Sequence, residues 1–236
     1  QKLENSNISI EAIIVIKQNL KYQLNLFNSV RKRVGFFETI LFSIKLIIEN
    51  YFKKKRIQIS YKNFQTKIIF TNGTNSYETE KKTNQLSPDI LVLAQTGIVR
   101  KNILSIPKIG VLNCHPGVLP SYRGIDCHKW AILNNEYSKL GSTIHWVNEG
   151  VDTGHIIATK YYTIKKNESL KKIENNLYLL CIQNIIETLR FFKEGNILNG
   201  KEQEKHEGKQ FYKMSLKQER TVKIKLSKYQ SNVQEL

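Results

Sequence analysis

The sequence contains little cysteine: its 236 residues include only Cys114, Cys127 and Cys181. An odd number leaves one thiol unpaired in any disulfide arrangement, and no two of these cysteines form a Cys-x-x-Cys pair. Both features argue against a secreted disulfide scaffold and against a zinc site built on thiolates. We therefore expect a protein of a reducing, cytoplasmic compartment that needs no metal.

The sequence also lacks a long apolar run that is free of charge. Its most apolar window, residues 36–52, carries Glu38, Lys45 and Glu49. Three charges within one span are poorly tolerated in a bilayer, so we expect no transmembrane segment. We also expect no signal peptide at the start of the chain.

The same window has the period of an amphipathic helix, and basic residues flank it on both sides. One interpretation is a helix that lies on an anionic membrane surface. The interpretation that we favour is a helix packed on a sheet, with its basic ends in solvent. The apolar positions of this face are Phe37, Ile40, Leu41, Ile44, Ile48 and Tyr51.

Acidic residues are scarce, with 20 Asp and Glu against 37 Lys and Arg, which gives a net charge of +17. Such a charge raises nucleic acid, anionic membranes and phosphorylated ligands as partners. Most of the basic residues are lysines scattered along the chain, so the charge alone is a weak indicator. A hydrophobic fraction of 40% argues against a wholly disordered chain.

Apolar runs of strand length alternate with segments of helical period, which predicts an α/β fold with a mainly parallel sheet flanked by helices. One domain is expected over residues 1–199, followed by a polar, Lys-rich extension over residues 200–236, with Phe211, Tyr212 and Met214 as its anchor. The predicted strands are residues 10–16, 67–70, 90–94, 110–114, 142–147 and 155–162, and the clearest predicted helices are residues 126–134 and 169–192, the second ended by Gly195.

The segment GVLNCHPGVLPSYR, residues 110–123, is the richest in chemistry. Asn113 and His115 alternate along a predicted strand, so their side chains point to the same side. Pro116 favours an extended His115, which keeps that alignment. An amide can stabilise an oxyanion and an imidazole can carry a proton at neutral pH, so the pair indicates a candidate catalytic site.

A second polar segment, NEGVDTG at residues 148–154, follows a predicted strand and carries Glu149 and Asp152. A carboxylate beside His115 would favour the protonated imidazole and fix its orientation. Alternatively, Asp152 only organises a turn. The triplet Asp152-Thr153-Gly154 is also the signature of aspartic proteases, but those enzymes need two such carboxylates on an all-β fold, and this chain has one amid α/β alternation.

Taken together, residues 88–164 resemble the domain of formyltransferases that use 10-formyltetrahydrofolate, as found in glycinamide ribonucleotide, methionyl-tRNA and amino-sugar N-formyltransferases. The matching words are PDILVLA, NCHPGVLPSYRG and GSTIHWVNEGVDTGHII, in family order. The resemblance implies a Rossmann-like fold. The run at Ile10 matches the family's second strand, so we expect the family's first strand to be missing.

The resemblance also implies roles for individual residues. Asn113, His115 and Asp152 fall on the family's catalytic Asn, His and Asp. Two stretches fall where the family holds the pterin end of the folate, largely through backbone groups: Gly97-Ile98-Val99 and Glu149-Gly150-Val151. The remaining histidines, His128, His145 and His155, are expected to be structural.

The reaction that the resemblance implies is transfer of a formyl group from 10-formyltetrahydrofolate to a primary amine. The acceptor is expected to be small and phosphorylated, either an amino sugar nucleotide or glycinamide ribonucleotide. Transfer to methionyl-tRNA is a disfavoured alternative, because residues 200–236 are short for the second domain of that enzyme. A catalytically inactive binder of nucleic acid or of membrane surfaces is another alternative. The oligomeric state stays open.

Overall fold

The structure is a computed structural model that describes residues 10–17, 27–28, 31–32, 39–40, 66–204 and 206–232. The chain divides into two compact units, Gln1–Leu86 and Ser87–Leu236. The predicted helix over residues 36–52, with its membrane-surface alternative, lies outside the described residues except at Thr39 and Ile40, which are helical. Among the described helices, none is long and apolar enough to cross a membrane.

The first unit contains two parallel strands, β1 (Ala12–Ile16) and β2 (Lys67–Thr71), and helix α1 (Tyr77–Leu86). The hydroxyl of Thr79 in α1 lies 2.7 Å from the hydroxyl of Thr71, which joins the helix to the end of β2. The sequence predicts a buried strand at β1, but its residues are only half-buried. Among the described residues, this strand is paired along one edge only, with β2.

The second unit is built on a four-stranded sheet with the order β3-β4-β6-β7. Strands β3 (Ile90–Leu93) and β4 (Gly110–His115) are parallel, whereas β6 (Gly141–Trp146) runs antiparallel to both β4 and β7 (Ile156–Tyr161). The predicted α/β class is confirmed, although this sheet is mixed. The reason is that a loop of nine residues joins β6 to β7, and a short loop between neighbouring strands makes them antiparallel.

Helices cover this sheet and complete its core. The longest, α4 (Leu170–Lys193), places Ile185 against Leu112 and Ile144 of the sheet. Burying aliphatic side chains of this size contributes about 1.5–3 kcal/mol each. The side chain of Ser169 caps α4 by accepting a hydrogen bond from the backbone N–H of Lys172 at 3.2 Å. Two shorter helices of this unit are α2 (Lys101–Leu104) and α3 (Cys127–Leu133).

The last part of the chain packs on the second unit. Strand β8 (Lys209–Phe211) pairs in parallel with β5 (Tyr122–Gly124), and helix α5 (Leu216–Asn232) packs against α3. Phe211 and Met214 are buried, as the sequence predicts for an anchor, whereas Tyr212 is exposed. The domain boundary at residue 200 stays a prediction.

Candidate active site

Strand β4 presents two polar side chains on one face and a thiol on the other. Asn113 and His115 both approach Asp152, whereas Cys114 donates a hydrogen bond at 3.0 Å to the carbonyl oxygen of Cys181 in α4. The predicted alternation along the strand is therefore confirmed. Asn113 lies in register with Leu93, the last residue of β3, so it stands where the parallel strands end.

Asp152 reaches this face from the loop between β6 and β7. Its Oδ1 accepts a hydrogen bond from Nδ2 of Asn113 at 3.2 Å, and its Oδ2 accepts one from the backbone N–H of Gly124 at 2.8 Å. Oδ2 also lies 3.5 Å from Nδ1 of His115. The structure thus brings the carboxylate, which is distant in sequence, to the neighbouring amide and imidazole of β4.

The ring of His115 is held by its other nitrogen. Nε2 lies 2.8 Å from the carbonyl oxygen of Tyr122. Because a carbonyl oxygen only accepts, Nε2 carries a proton and donates a hydrogen bond to that oxygen. In the neutral ring, Nδ1 is then free of a proton and faces Asp152. A separation of 3.5 Å is long for a charge-assisted hydrogen bond, which leaves the unprotonated Nδ1 available to another hydrogen-bond donor.

Burial determines the charge states of this pair. Burial lowers the pKa of His115, and the carboxylate of Asp152 opposes the shift without overcoming it. As the sequence predicts, Asp152 favours the protonated imidazole, but burial outweighs this effect and the pKa of His115 is lowered. Burial alone would raise the pKa of Asp152, but His115, His145 and the N–H of Gly124 lower it below its usual range. At neutral pH the site holds a neutral imidazole beside a carboxylate.

His145 is a site residue that the sequence analysis assigns to structure alone. It lies directly opposite Asn113 in the pairing of β4 with β6, and it is buried. Its Nδ1 donates to the carbonyl oxygen of Trp146 at 2.7 Å, while Nε2 lies 3.2 Å from Nδ2 of Asn113 and 3.5 Å from Oδ1 of Asp152. Only the strand register could have revealed this contact. His128 lies in α3 and His155 is exposed.

Gly117 makes room for the imidazole. A Cβ atom at this position would lie 2.6 Å from Nε2 of His115 and 2.8 Å from the Cβ of Cys127. Both neighbours are buried and cannot retreat easily. A glycine two residues after the histidine is therefore required for the position of the ring.

The two stretches predicted to hold the folate differ in burial. Gly97 has a φ of 76°, and a Cβ there would meet nothing within 4 Å, so its surroundings are open. Ile98 is 70% exposed, whereas Val99 is buried with Leu93. The side chain of Val99 therefore belongs to the core, and Gly97 and Ile98 are the accessible residues of this stretch.

The other predicted stretch is a turn fixed by a side chain of its own loop. Glu149 and Gly150 are exposed and Val151 is half-buried. Oδ1 of Asn148 accepts hydrogen bonds from the N–H of Gly150 at 3.1 Å and from the hydroxyl of Thr153 at 2.7 Å. Asn148 thus organises the turn, and the side chain of Asp152 is directed to the site instead.

Comparison with known proteins identifies similar chains by sequence. The family model of formyl transferases matches residues 12–189. The methionyl-tRNA formyltransferase of Clostridioides difficile is 36% identical over 116 residues, which are 49% of this chain and 37% of that protein. The enzyme of the same name from Caldanaerobacter subterraneus is 30% identical over 131 residues, 55% of this chain and 42% of that protein. The chain thus spans less than half the length of these relatives.

Solved structures share the fold at lower identity. The formyltransferase PseJ from Anoxybacillus kamchatkensis, solved with UDP-4,6-dideoxy-4-formamido-L-AltNAc and tetrahydrofolate, is 24% identical with a TM-score of 0.52, covering 66% of this chain and 80% of its own. A sugar N-formyltransferase from Shewanella sp. FDAARGOS_354 is 13% identical with a TM-score of 0.55, covering 92% of this chain and 88% of its own.

Proposed function

The chain belongs to the formyl transferase family, and we propose that it transfers a formyl group from 10-formyltetrahydrofolate to the primary amine of a small, phosphorylated acceptor. The observation that carries the proposal is the convergence of Asn113, His115 and Asp152 on one face of β4. Asn113 and His115 are neighbours on this strand, and the fold brings Asp152 to them from a loop that is distant in sequence.

Two loops are proposed to hold the folate donor, which supplies the formyl group. The open space at Gly97 and the exposure of Ile98, Glu149 and Gly150 leave backbone groups accessible at both loops. Backbone N–H and C=O groups suit the alternating donors and acceptors of a pterin ring. The tetrahydrofolate bound to PseJ supports a folate donor for a protein of this fold.

Asn113 is proposed to stabilise the oxyanion that forms when an amine adds to a formyl carbon. Its Nδ2 has two hydrogens, which point to Asp152 and His145 at 3.2 Å each in the ligand-free arrangement. Turning the hydrogen that points to His145 towards the oxyanion exchanges a hydrogen bond to a ring nitrogen for a charge-assisted one. One donor of this kind is worth about 10²–10³ in rate.

His115 is proposed to move the proton that the reaction must relocate. The attacking amine loses a proton and the departing folate nitrogen gains one. A neutral imidazole with an unprotonated Nδ1 accepts the first, and the imidazolium beside Asp152 then delivers it. While it is charged, the ring also stabilises the oxyanion. General acid–base catalysis of this type contributes about 10²–10⁴ in rate.

Two classes of acceptor are candidates for the formyl group. The net charge of +17 suits a phosphorylated amine. The methionyl-tRNA formyltransferases among the relatives support methionyl-tRNA as a second candidate, over the part of those proteins that this chain matches. PseJ, which shares the fold of this chain, was solved with a nucleotide sugar, and this supports a small acceptor.

A screen of acceptors tests the proposal. The protein is incubated with 10-formyltetrahydrofolate and an amino sugar nucleotide, glycinamide ribonucleotide or methionyl-tRNA, and release of tetrahydrofolate is measured. We expect release with a small phosphorylated amine and none with the His115→Ala variant. Release with methionyl-tRNA alone would select the second candidate. A folded protein that releases no tetrahydrofolate with any acceptor, but binds RNA or anionic vesicles with steep salt dependence, would favour the inactive binder.

A further inference from the structure

We propose that Gln203 is a positioning residue of this site, whose amide holds the turn that presents Asp152 to His115. Gln203 lies in the segment that the sequence predicts to be a polar extension, where no role is expected. The inference rests on the proposed function for its kinetic consequence, but its structural consequence can be measured without any substrate.

All the hydrogen-bonding capacity of the Gln203 amide is used. Oε1 accepts from Nε of Arg123 at 3.2 Å and from Nη2 at 3.0 Å. Nε2 donates to the carbonyl oxygen of Asp152 at 3.0 Å and to that of Gly154 at 2.6 Å. The side chain is 7% exposed, so water cannot easily replace these partners.

These bonds close a ring through the site. Arg123, which is 8% exposed, grips Gln203, and the next residue, Gly124, donates its N–H to Oδ2 of Asp152 at 2.8 Å. Gln203 in turn holds the backbone of Asp152. The aspartate is therefore fixed at both its carbonyl and its carboxylate, and three separate segments of the chain supply the constraint.

The turn itself needs such support. Asp152 has a φ of 53°, in the left-handed region that residues other than glycine rarely occupy. Residues in such conformations persist where their surroundings hold them, and they concentrate at functional sites. The two hydrogen bonds from Nε2 of Gln203 hold the carbonyl of this residue and that of Gly154, two residues later in the same turn.

The neutral amide is also the right chemical group for this place. It satisfies a buried guanidinium without adding a second carboxylate next to the first. The titratable groups that face His115 are then Asp152 from its loop, His145 from β6 and Cys127 from α3. Among them, Asp152 alone acts to raise the pKa of His115. If the turn loosens, His115 loses that influence.

The experiment uses Gln203→Met, which keeps the length and burial of the side chain and removes all four hydrogen bonds. The pKa of His115 is measured by NMR titration of the labelled ring in the ligand-free protein. We expect it to fall below the wild-type value, because the carboxylate is no longer held beside the ring. In the turnover assay we expect kcat to fall about tenfold to a hundredfold with the KM for the folate nearly unchanged.

Gln230→Met is the matched control. The amide of Gln230 likewise donates to two backbone carbonyls, those of Lys165 and Glu168, at 3.1 and 3.0 Å. We expect this variant to leave the titration of His115 and the kcat unchanged. If Gln203→Met does not fold, Gln203→Asn, which keeps an amide on a shorter stem, carries the same test.

An unchanged pKa of His115 in the folded Gln203 variant, or an equal shift in Gln230→Met, would overturn the inference. The titration keeps its meaning even if no acceptor releases tetrahydrofolate, so failure of the proposed function and failure of this inference are distinguishable.

Discussion

Two buried polar clusters in the second unit differ in how completely their charges are paired. Around Asp126, the ammonium groups of Lys129 and Lys213 lie 3.3 and 3.1 Å from the carboxylate, and Lys129 also lies 2.6 Å from Glu219. Around Asp152, both imidazoles lie 3.5 Å away. The first cluster balances two carboxylates with two ammonium groups, whereas the second sets one carboxylate beside two imidazoles at longer distances, and burial lowers the pKa of one of them, His115.

This difference separates a structural cluster from a chemical one. In the Asp126 cluster the short ion pairs join Lys129 of α3 to Glu219 of α5, and Asp126 to Lys213, which precedes α5. These charges therefore stabilise the packing of the two helices. In the Asp152 cluster the long contacts leave a proton acceptor and an amide donor that a substrate can engage. Variants of the two clusters should accordingly fail in different assays.

Among variants that separate the two clusters, the largest effect on turnover is expected for Asn113→Ala. Loss of the amide removes the proposed oxyanion donor, so kcat should fall about 10²–10³-fold, measured as release of tetrahydrofolate. The control is Asn184→Ala. In the wild type, the buried amide of Asn184 donates to the carbonyl oxygen of Ser142 at 3.2 Å. That variant should lose about 1–3 kcal/mol of stability and keep the kcat of its folded fraction. Equal kcat losses in both variants would contradict a specific role of Asn113 in turnover.

Breaking the Asp126 cluster should affect stability instead. Lys129→Met leaves Glu219 buried beside an apolar group, and we expect a loss of about 3 kcal/mol in the free energy of unfolding, measured by urea denaturation. Lys171→Met removes an exposed pair with Glu174 and should cost less than about 0.5 kcal/mol. A Lys129→Met protein as stable as the wild type would show that the paired cluster is dispensable.

A smaller effect concerns the pH dependence of stability. Burial, and next the charge of Lys129, lower the pKa of His128 from 6.5 to about 4. The unfolded chain therefore binds a proton that the folded chain refuses between these values. His128 therefore makes the free energy of unfolding depend on pH. Above pH 6.5 it causes no loss, and as the pH falls towards 4 the free energy of unfolding decreases by about 3 kcal/mol at most.

His128→Leu should flatten that part of the profile, measured by thermal unfolding from pH 7 to 4. It also removes Nε2 of His128, a buried nitrogen with no hydrogen-bond partner among the described residues. Replacement of the exposed His155 by Leu is the control and should leave the slope unchanged. A slope that persists in His128→Leu would assign the acid sensitivity to other groups, such as His115.

Much of the site could be predicted from local sequence. The alternation of Asn113 and His115 follows from strand geometry, and the resemblance to formyltransferases supplied Asp152. His145 was missed because its contact depends on the register of two strands, which no local pattern encodes. Gln203 was missed because its segment is polar and Lys-rich. Its hydrogen-bond partners, Arg123 and the turn at Asp152, are distant in sequence.

The charge state of His115 could not be predicted either. The sequence shows a carboxylate that would raise the pKa, but the opposing cost of burial depends on packing around the finished ring. For the fold, the alternation of strands and helices predicted the α/β class, and the short connection between β6 and β7 explains why the sheet is mixed.

The most direct test of the central claim compares tetrahydrofolate release by the wild type, His115→Gln and His155→Gln at equal concentrations of folded protein. Glutamine keeps a hydrogen-bond donor but cannot carry the proton. The account predicts a loss of about 10²–10⁴-fold in His115→Gln and wild-type turnover in His155→Gln. Wild-type turnover in His115→Gln would contradict the assignment of proton transfer to this ring.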